Sequence, residues 1–328
     1  MQVRRTRLRP MVRGRAPGPG PQGGAVTDWT FGGLWPYEPK WFETPEGRLH
    51  YVDEGPRDGR PVVLLHGNPT WGFLYRNFIS ALVEAGHRAI VPDMLGFGRS
   101  DKPARPEVYR IADHIRRADA LLESLDLHDA TVVPQDWGGP VGLAWAVAHP
   151  DRVSGLFILN TAAHVPRGRF KVPAALQLFR LPGVGEVTVK GLGLFHRAFL
   201  FKVGVTRPLP PQVKRAYLAP HPTWSSRTGV LAFPRAIPTA PDEQPWATFA
   251  ADLETGMERE FRDRPVKIVW AMKDPGFGPD TLRDMWLRTF PDAGVMRLDD
   301  AGHYLQEDAH ERIIPELLRF LAKEDHHG

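Results

Sequence analysis

From about residue 41 onward, short apolar runs alternate with stretches whose apolar positions recur every three or four residues. Residues 41–44 and 49–53, joined at Glu46-Gly47, read as two strands around a turn. The runs 61–65 (PVVLL), 87–92, 131–134, 153–160, 266–272 (VKIVWAM) and 294–298 read as further strands. Several are apolar without interruption, the pattern of strands buried on both faces. Helical spacing marks residues 70–86, where Gly86 is a stop signal, and residues 111–125, 140–149, 279–290 and 306–323. Strand–helix alternation of this kind predicts an α/β fold: a mostly parallel, doubly wound sheet covered on both faces, with ligands beyond the carboxyl ends of its strands.

The alternation is interrupted between residues 164 and 257, a stretch rich in Arg, Pro and Phe with helical patches such as 184–202. Ninety-odd residues are too many for a loop, so this segment is expected to form a helical cap over the site. The core domain would then be residues 28–163 and 258–328. The cap aromatics Phe170, Phe179, Phe195, Phe199, Trp224 and Phe233 are expected to be mostly core, with two or three lining an apolar pocket.

Charge changes the picture only at the amino end. Residues 1–27 carry Arg4, Arg5, Arg7, Arg9, Arg13 and Arg15, no acid, and a Pro/Gly-rich composition that cannot pack a core. Without them the formal charge of +4 becomes about −2, so the basic character lies outside the body and no nucleic-acid partner is expected. That segment lacks the apolar region of a secretory signal, and no run is long and apolar enough to span a bilayer. A cytoplasmic location with no membrane partner is the expectation. Cysteine is absent, which excludes disulfides, thiolate metal sites and cysteine nucleophiles. The 13 His show no H-E-x-x-H spacing, so no metal and no cofactor are expected. Gly18-x-Gly20-x-x-Gly23 has the dinucleotide spacing but no preceding strand, and is discounted.

Residues 131–142, TVVPQDWGGPVG, combine a strand, a tight turn, two glycines and a helix. This is the nucleophile-elbow context of the α/β-hydrolases, with Asp136 where a serine usually stands. No G-x-S-x-G occurs, so serine esterase and peptidase chemistry is disfavoured. The plain alternative for Asp136 is a helix N-cap. Residues 272–280 (MKDPGFGPD) put Asp274 just past a strand, and residues 299–303 (DDAGH) put His303 between a strand and a helix. Nucleophile, acid and His follow in the chain order that the fold requires. Residues 66–69 (HGNP) follow strand 61–65. There the backbone N–H of Asn68, with that of Trp137, can form an oxyanion hole. The Asn68 amide and the Trp137 indole offer two neutral donors suited to a departing halide. His66 is expected to be structural.

The segments HGNPTWGFLYRNFI, VPDMLGFGRSDKP, QDWGGPVGL and AGHYLQEDA resemble haloalkane dehalogenases, over about residues 40–323. The resemblance implies an α/β-hydrolase fold with an inserted cap, Asp136 as nucleophile, His303 as base and Asn68 with Trp137 as halide donors. It implies a small halogenated hydrocarbon as substrate, with water and halide as the other species bound. One subfamily has a Glu after strand 153–159; here Asn160-Thr161 offers no carboxylate, and Asp274 takes that role. Another uses a second Trp early in the cap, whereas residues 164–200 contain none. Pro134 departs from the small residue common two places before the nucleophile. No oligomeric state is implied. The nearest rival is an epoxide hydrolase with the same Asp–His–Asp triad. Such enzymes usually present two cap tyrosines, and residues 164–257 hold one, Tyr217. A fluoroacetate dehalogenase would place Arg after the nucleophile, where Trp137-Gly138-Gly139 stands. A ligand-binding receptor on this scaffold would tolerate loss of triad members, and all three are present.

Overall fold

The computed structural model describes residues 27–163, 174–238 and 244–324. Its centre is an eight-stranded sheet, ordered β1-β2-β4-β3-β5-β6-β7-β8. The strands are β1 (Lys40–Thr44), β2 (Gly47–Glu54), β3 (Pro61–Leu65), β4 (Arg88–Pro92), β5 (Ala130–Pro134), β6 (Val153–Leu159), β7 (Val266–Ala271) and β8 (Gly294–Leu298). β1 and β2 form an antiparallel hairpin, and β2 also meets β4 antiparallel; every other pairing is parallel. β3, β4 and β5 are buried at every position, as their largely apolar sequences require; Arg88, at the start of β4, is buried against Asp53.

The helices α1 (Arg76–Glu84), α2 (Ile111–Ser124), α3 (Gly138–Ala148), α9 (Pro279–Thr281), α10 (Leu287–Thr289) and α11 (Leu305–Glu324) belong to the alternating part of the chain. Between β6 and β7 the described residues hold only helices: α4 (Ala174–Arg180), α5 (Leu194–Ala198), α6 (Pro211–Leu218), α7 (Thr228–Ala236) and α8 (Trp246–Phe261).

Three helices differ in detail from their spacing. Residues 70–86 open with a 3₁₀ turn, Gly72–Tyr75, before α1. Residues 279–290 are two short α-helical pieces joined by the π-helical turn Leu282–Trp286. In α11 the backbone leaves helical geometry at Ala309 (φ −151°), directly after buried Asp308, whose carboxylate accepts from the N–H groups of Gly302, Thr206 and Arg207. That carboxylate ties the loop after α5 to the end of β8.

The basic segment 1–27 and Phe170 lie outside the described residues, apart from Thr27. Phe179, Phe195, Phe199 and Phe233 pack in or against the main core, but Trp224 is 49% exposed, contrary to the expectation of burial.

Candidate active site

β5 ends at Pro134 and runs into the turn that carries Asp136. Asp136 adopts φ +50°, in the left-handed region that a non-glycine residue enters at a cost on the order of 1–3 kcal/mol. The surroundings hold it there. Gln135 N–H donates to Leu65 O, Asp136 N–H to Asn160 O, and the Thr161 hydroxyl to Asp136 O. Gly138 and Gly139 then begin α3 so close to the neighbouring strand ends that a methyl group on either would overlap Leu65 O or Thr161 Oγ1. The helix therefore starts at Gly138, two residues before its apolar spacing suggests, and directs its amino end at the Asp136 turn.

Asp136 is 9% exposed. Its Oδ1 accepts the backbone N–H of Asn68 at 2.7 Å, and its Oδ2 lies 3.4 Å from His303 Nε2. His303 Nδ1 donates to Asp274 Oδ2 at 2.8 Å. The three predicted residues, separated by up to 167 positions, are thus brought into one line of contacts at the carboxyl ends of β5, β7 and β8.

Asp274 is buried, which favours its neutral form, but His303 and the N–H groups of Gly276 and Phe277 (2.7 and 3.0 Å) hold its carboxyl below the usual range. Asn160 Nδ2 also donates to Asp274 Oδ2, at 3.0 Å, while Asn160 Oδ1 accepts Ala271 N–H. The position without a carboxylate is therefore a support for the carboxylate on the next strand. Burial opposes charge on His303, yet Asp274 and Asp136 outweigh it and push its pKa up to about 10. His66 Nε2 accepts Met94 N–H and its Nδ1 donates to Gly67 O; burial keeps this imidazole neutral beneath the Asn68 loop.

Asn68 Nδ2 spends one hydrogen on Val230 O of α7, at 3.3 Å, leaving its second N–H. Asn68 Oδ1 is buried without a partner. The Trp137 ring packs on Phe233 of α7 (centroids 5.1 Å) and edge-on to Trp246 of α8 (6.1 Å). Phe199, Phe277 and Tyr304 surround the His303 ring at 5.7, 5.7 and 4.8 Å. Sequence reading did not single out Gln135, whose Nε2 donates to His303 O, nor Trp246, Phe277 or Tyr304. The support by Asn160 had a signal: β6 and β7 are adjacent parallel strands, so residues just past their carboxyl ends must meet.

Tyr217 is fully buried on α6, and its hydroxyl donates to Glu307, the carboxylate that also pairs with Arg76. That hydroxyl is committed away from Asp136. Among the described residues no group of three or more His, Asp or Glu is disposed to hold a metal ion, and no helix is long and apolar enough to cross a membrane.

Residues 60–310 match the family model of the alpha/beta hydrolase fold. A cis-3-alkyl-4-alkyloxetan-2-one decarboxylase of Xanthomonas campestris is 36% identical over 88% of this chain and 97% of its own length. A haloalkane dehalogenase of Mycobacterium marinum is 35% identical over 83% of this chain and 89% of its own. The crystal structure of haloalkane dehalogenase DbeA from Bradyrhizobium elkani superposes with a TM-score of 0.78 at 26% identity, covering 89% of this chain and 99% of the other. Sheet order, elbow and relatives agree: the chain belongs to the alpha/beta hydrolase fold and, within it, to the haloalkane dehalogenase family.

Proposed function

We propose that the chain is a hydrolytic dehalogenase that works through an alkyl ester on Asp136. The observation that carries this reading is the setting of the Asp136 carboxylate. It is held at a strained turn, one oxygen on the Asn68 N–H and the other facing His303, whose ring, like that of Trp137, is packed among aromatic side chains. A carboxylate can displace halide from saturated carbon in line, forming an O–C bond as the C–halogen bond breaks. The halide leaves towards the second Asn68 amide N–H and the Trp137 indole N–H, which has no protein partner among the described residues.

Esterification removes the negative charge of Asp136. One of the two carboxylates that hold His303 protonated is then gone, so its pKa falls, the ring releases its proton to solvent, and the neutral imidazole becomes available as a base. His303 takes a proton from water, and the hydroxide attacks the ester carbonyl. The Asn68 N–H, already directed at Oδ1, stabilises the oxyanion, with the Trp137 N–H as the second donor. Collapse expels the alkoxide, which takes the proton from His303 and leaves as the alcohol; the Asp136 carboxyl then gives its proton to His303, which restores the starting pair, while Asp274 keeps the ring oriented and stabilises the imidazolium. No step calls on a metal or cofactor. The helices between β6 and β7 act as the cap, through Val230, Phe233 and Trp246.

A panel of bromo- and chloroalkanes tests the reading. Halide and alcohol should appear in equal amounts. In ¹⁸O-water a single turnover should give unlabelled alcohol, because its oxygen comes from Asp136. Labelled alcohol in the first turnover would rule out the ester.

The relatives at 36% identity favour a second reading, decarboxylation of a four-membered lactone. Asp136 would form an O–C4 bond as the ring C4–O bond breaks. The freed carboxylate would then leave as CO₂, its C–C electrons forming the alkene and expelling Asp136. Alkene and CO₂ from a cis-dialkyl oxetan-2-one, with no halide from any haloalkane, would establish this second reading. Epoxide opening is the weakest of the three, since Tyr217 is engaged with Glu307.

A further inference from the structure

Among the described residues, eight large apolar side chains are exposed, and seven of them fall between residues 178 and 224: Leu178, Leu181, Val187, Leu192, Leu194, Val203 and Trp224. The segments that carry them touch one another: α4 and α5 each pack on the 186–191 turn, which also meets the turn after Trp224; grouped apolar surface of this kind marks a binding face. The same region is strongly basic. Residues 174–236 carry nine Lys and Arg against one acid, a net +8 in a chain whose total is +4, leaving −4 for the rest. The one acid, Glu186, is neutralised by Arg235 at 2.7 Å. Lys190, Arg197 and Lys202 have no ion-pair partner among the described residues.

The two features are interleaved. Lys190 Nζ lies 5.3 Å from the centre of the Trp224 ring, and the backbone at Gly191 approaches the same ring. Arg227 fixes the arrangement: its guanidinium donates to Lys190 O, Gly191 O, His221 O and Pro222 O, joining the 186–191 turn to the loop that presents Trp224. Apolar side chains with an aromatic ring among cations are what an anionic bilayer surface holds, the former in the acyl boundary and the latter at the headgroups. A second copy of the chain is a poorer occupant, because a two-fold contact would bring the unpaired Lys190, Arg197 and Lys202 of one copy against those of the other.

We propose that the face formed by α4, α5 and the Trp224 loop docks the protein on anionic lipid surfaces. Lying on a bilayer is distinct from crossing it, so the lack of a spanning helix among the described residues does not oppose this. The proposal is independent of whether the site releases halide or CO₂. Docking there would set the cap, through α7, against the phase in which apolar substrates concentrate.

The full-length protein should co-float with vesicles of phosphatidylcholine and phosphatidylglycerol in equal parts, and not with phosphatidylcholine alone. Raised salt should weaken binding. The combined Leu192→Ser and Trp224→Ser variant should lose roughly tenfold or more in vesicle affinity, and so should Arg197→Glu with Lys202→Glu. Trp41→Ser, on edge strand β1, should change nothing. An unchanged circular dichroism melt in each variant keeps the comparison valid; should the serine pair fail to fold, the glutamate pair alone decides. Three results would overturn the proposal: no flotation of the wild type, flotation unaffected by the cap variants (which assigns it to the arginines of residues 1–27), or a wild-type dimer that the cap variants dissociate.

Discussion

In the mechanism we propose, the chemistry turns on Asp136, and its neighbours decide what each substitution does. Asn tolerates a positive φ almost as well as Asp. Asp136→Asn should therefore keep the wild-type melt while lowering turnover by roughly 10³-fold or more, read by product release. His303 gives a prediction in pH. Its folded pKa is raised from 6.5 to about 10, so its contribution to stability is complete below 6.5 and is lost as pH rises through about 10. Wild-type melting temperature should fall across that window relative to His303→Gln, which has no such proton to lose. Equal slopes in the two proteins would contradict the carboxylate clamp. Asn160→Ala removes one donor from Asp274 Oδ2 and orphans Ala271 N–H. The acid limb of the activity profile should move to higher pH, because a less stabilised Asp274 protonates sooner.

At the scale of elements, the site depends on how closely α3 begins against β3 and β6. Gly139→Ala forces a methyl group onto Thr161 Oγ1, the group that fixes Asp136 O. It should cost about 1–3 kcal/mol in chemical denaturation and lower activity, since the turn and the nucleophile shift together. Asp308→Ala frees the N–H groups of Thr206, Arg207 and Gly302, and should loosen the loop after α5 first. Faster proteolysis near residues 204–207, with the sheet's amide protection unchanged, would show this. Elements of this kind divide sharply in how readable they were. The strands and the elbow were legible because a buried strand and a turn-forming Gly pair write themselves locally in the chain. The π-helical turn at 282–286 and the break at Ala309 were not, because a buried aspartate with three distant donors sets one of them and neither leaves a local pattern.

At the scale of the molecule, chain order carried the triad: Asp136, Asp274 and His303 follow three parallel strands whose carboxyl ends converge, so their meeting could be inferred before it was seen. The contacts between the sheet's loops and the helices that lie between β6 and β7 could not. Val230 O on Asn68, Trp246 beside Trp137 and the committed hydroxyl of Tyr217 depend on how helices of weak periodicity settle over the sheet. Trp224, expected in a core, lies at the surface for the same reason. The proposed chemistry requires a covalent bond to Asp136. With His303→Gln the ester should form but not hydrolyse. Intact-mass measurement after mixing that variant with the bromoalkane that the wild type turns over best should show the protein heavier by one alkyl group. The adduct should map to the peptide containing Asp136, with one equivalent of bromide released. Continued bromide release from this variant with no change in protein mass would contradict an alkyl ester on Asp136.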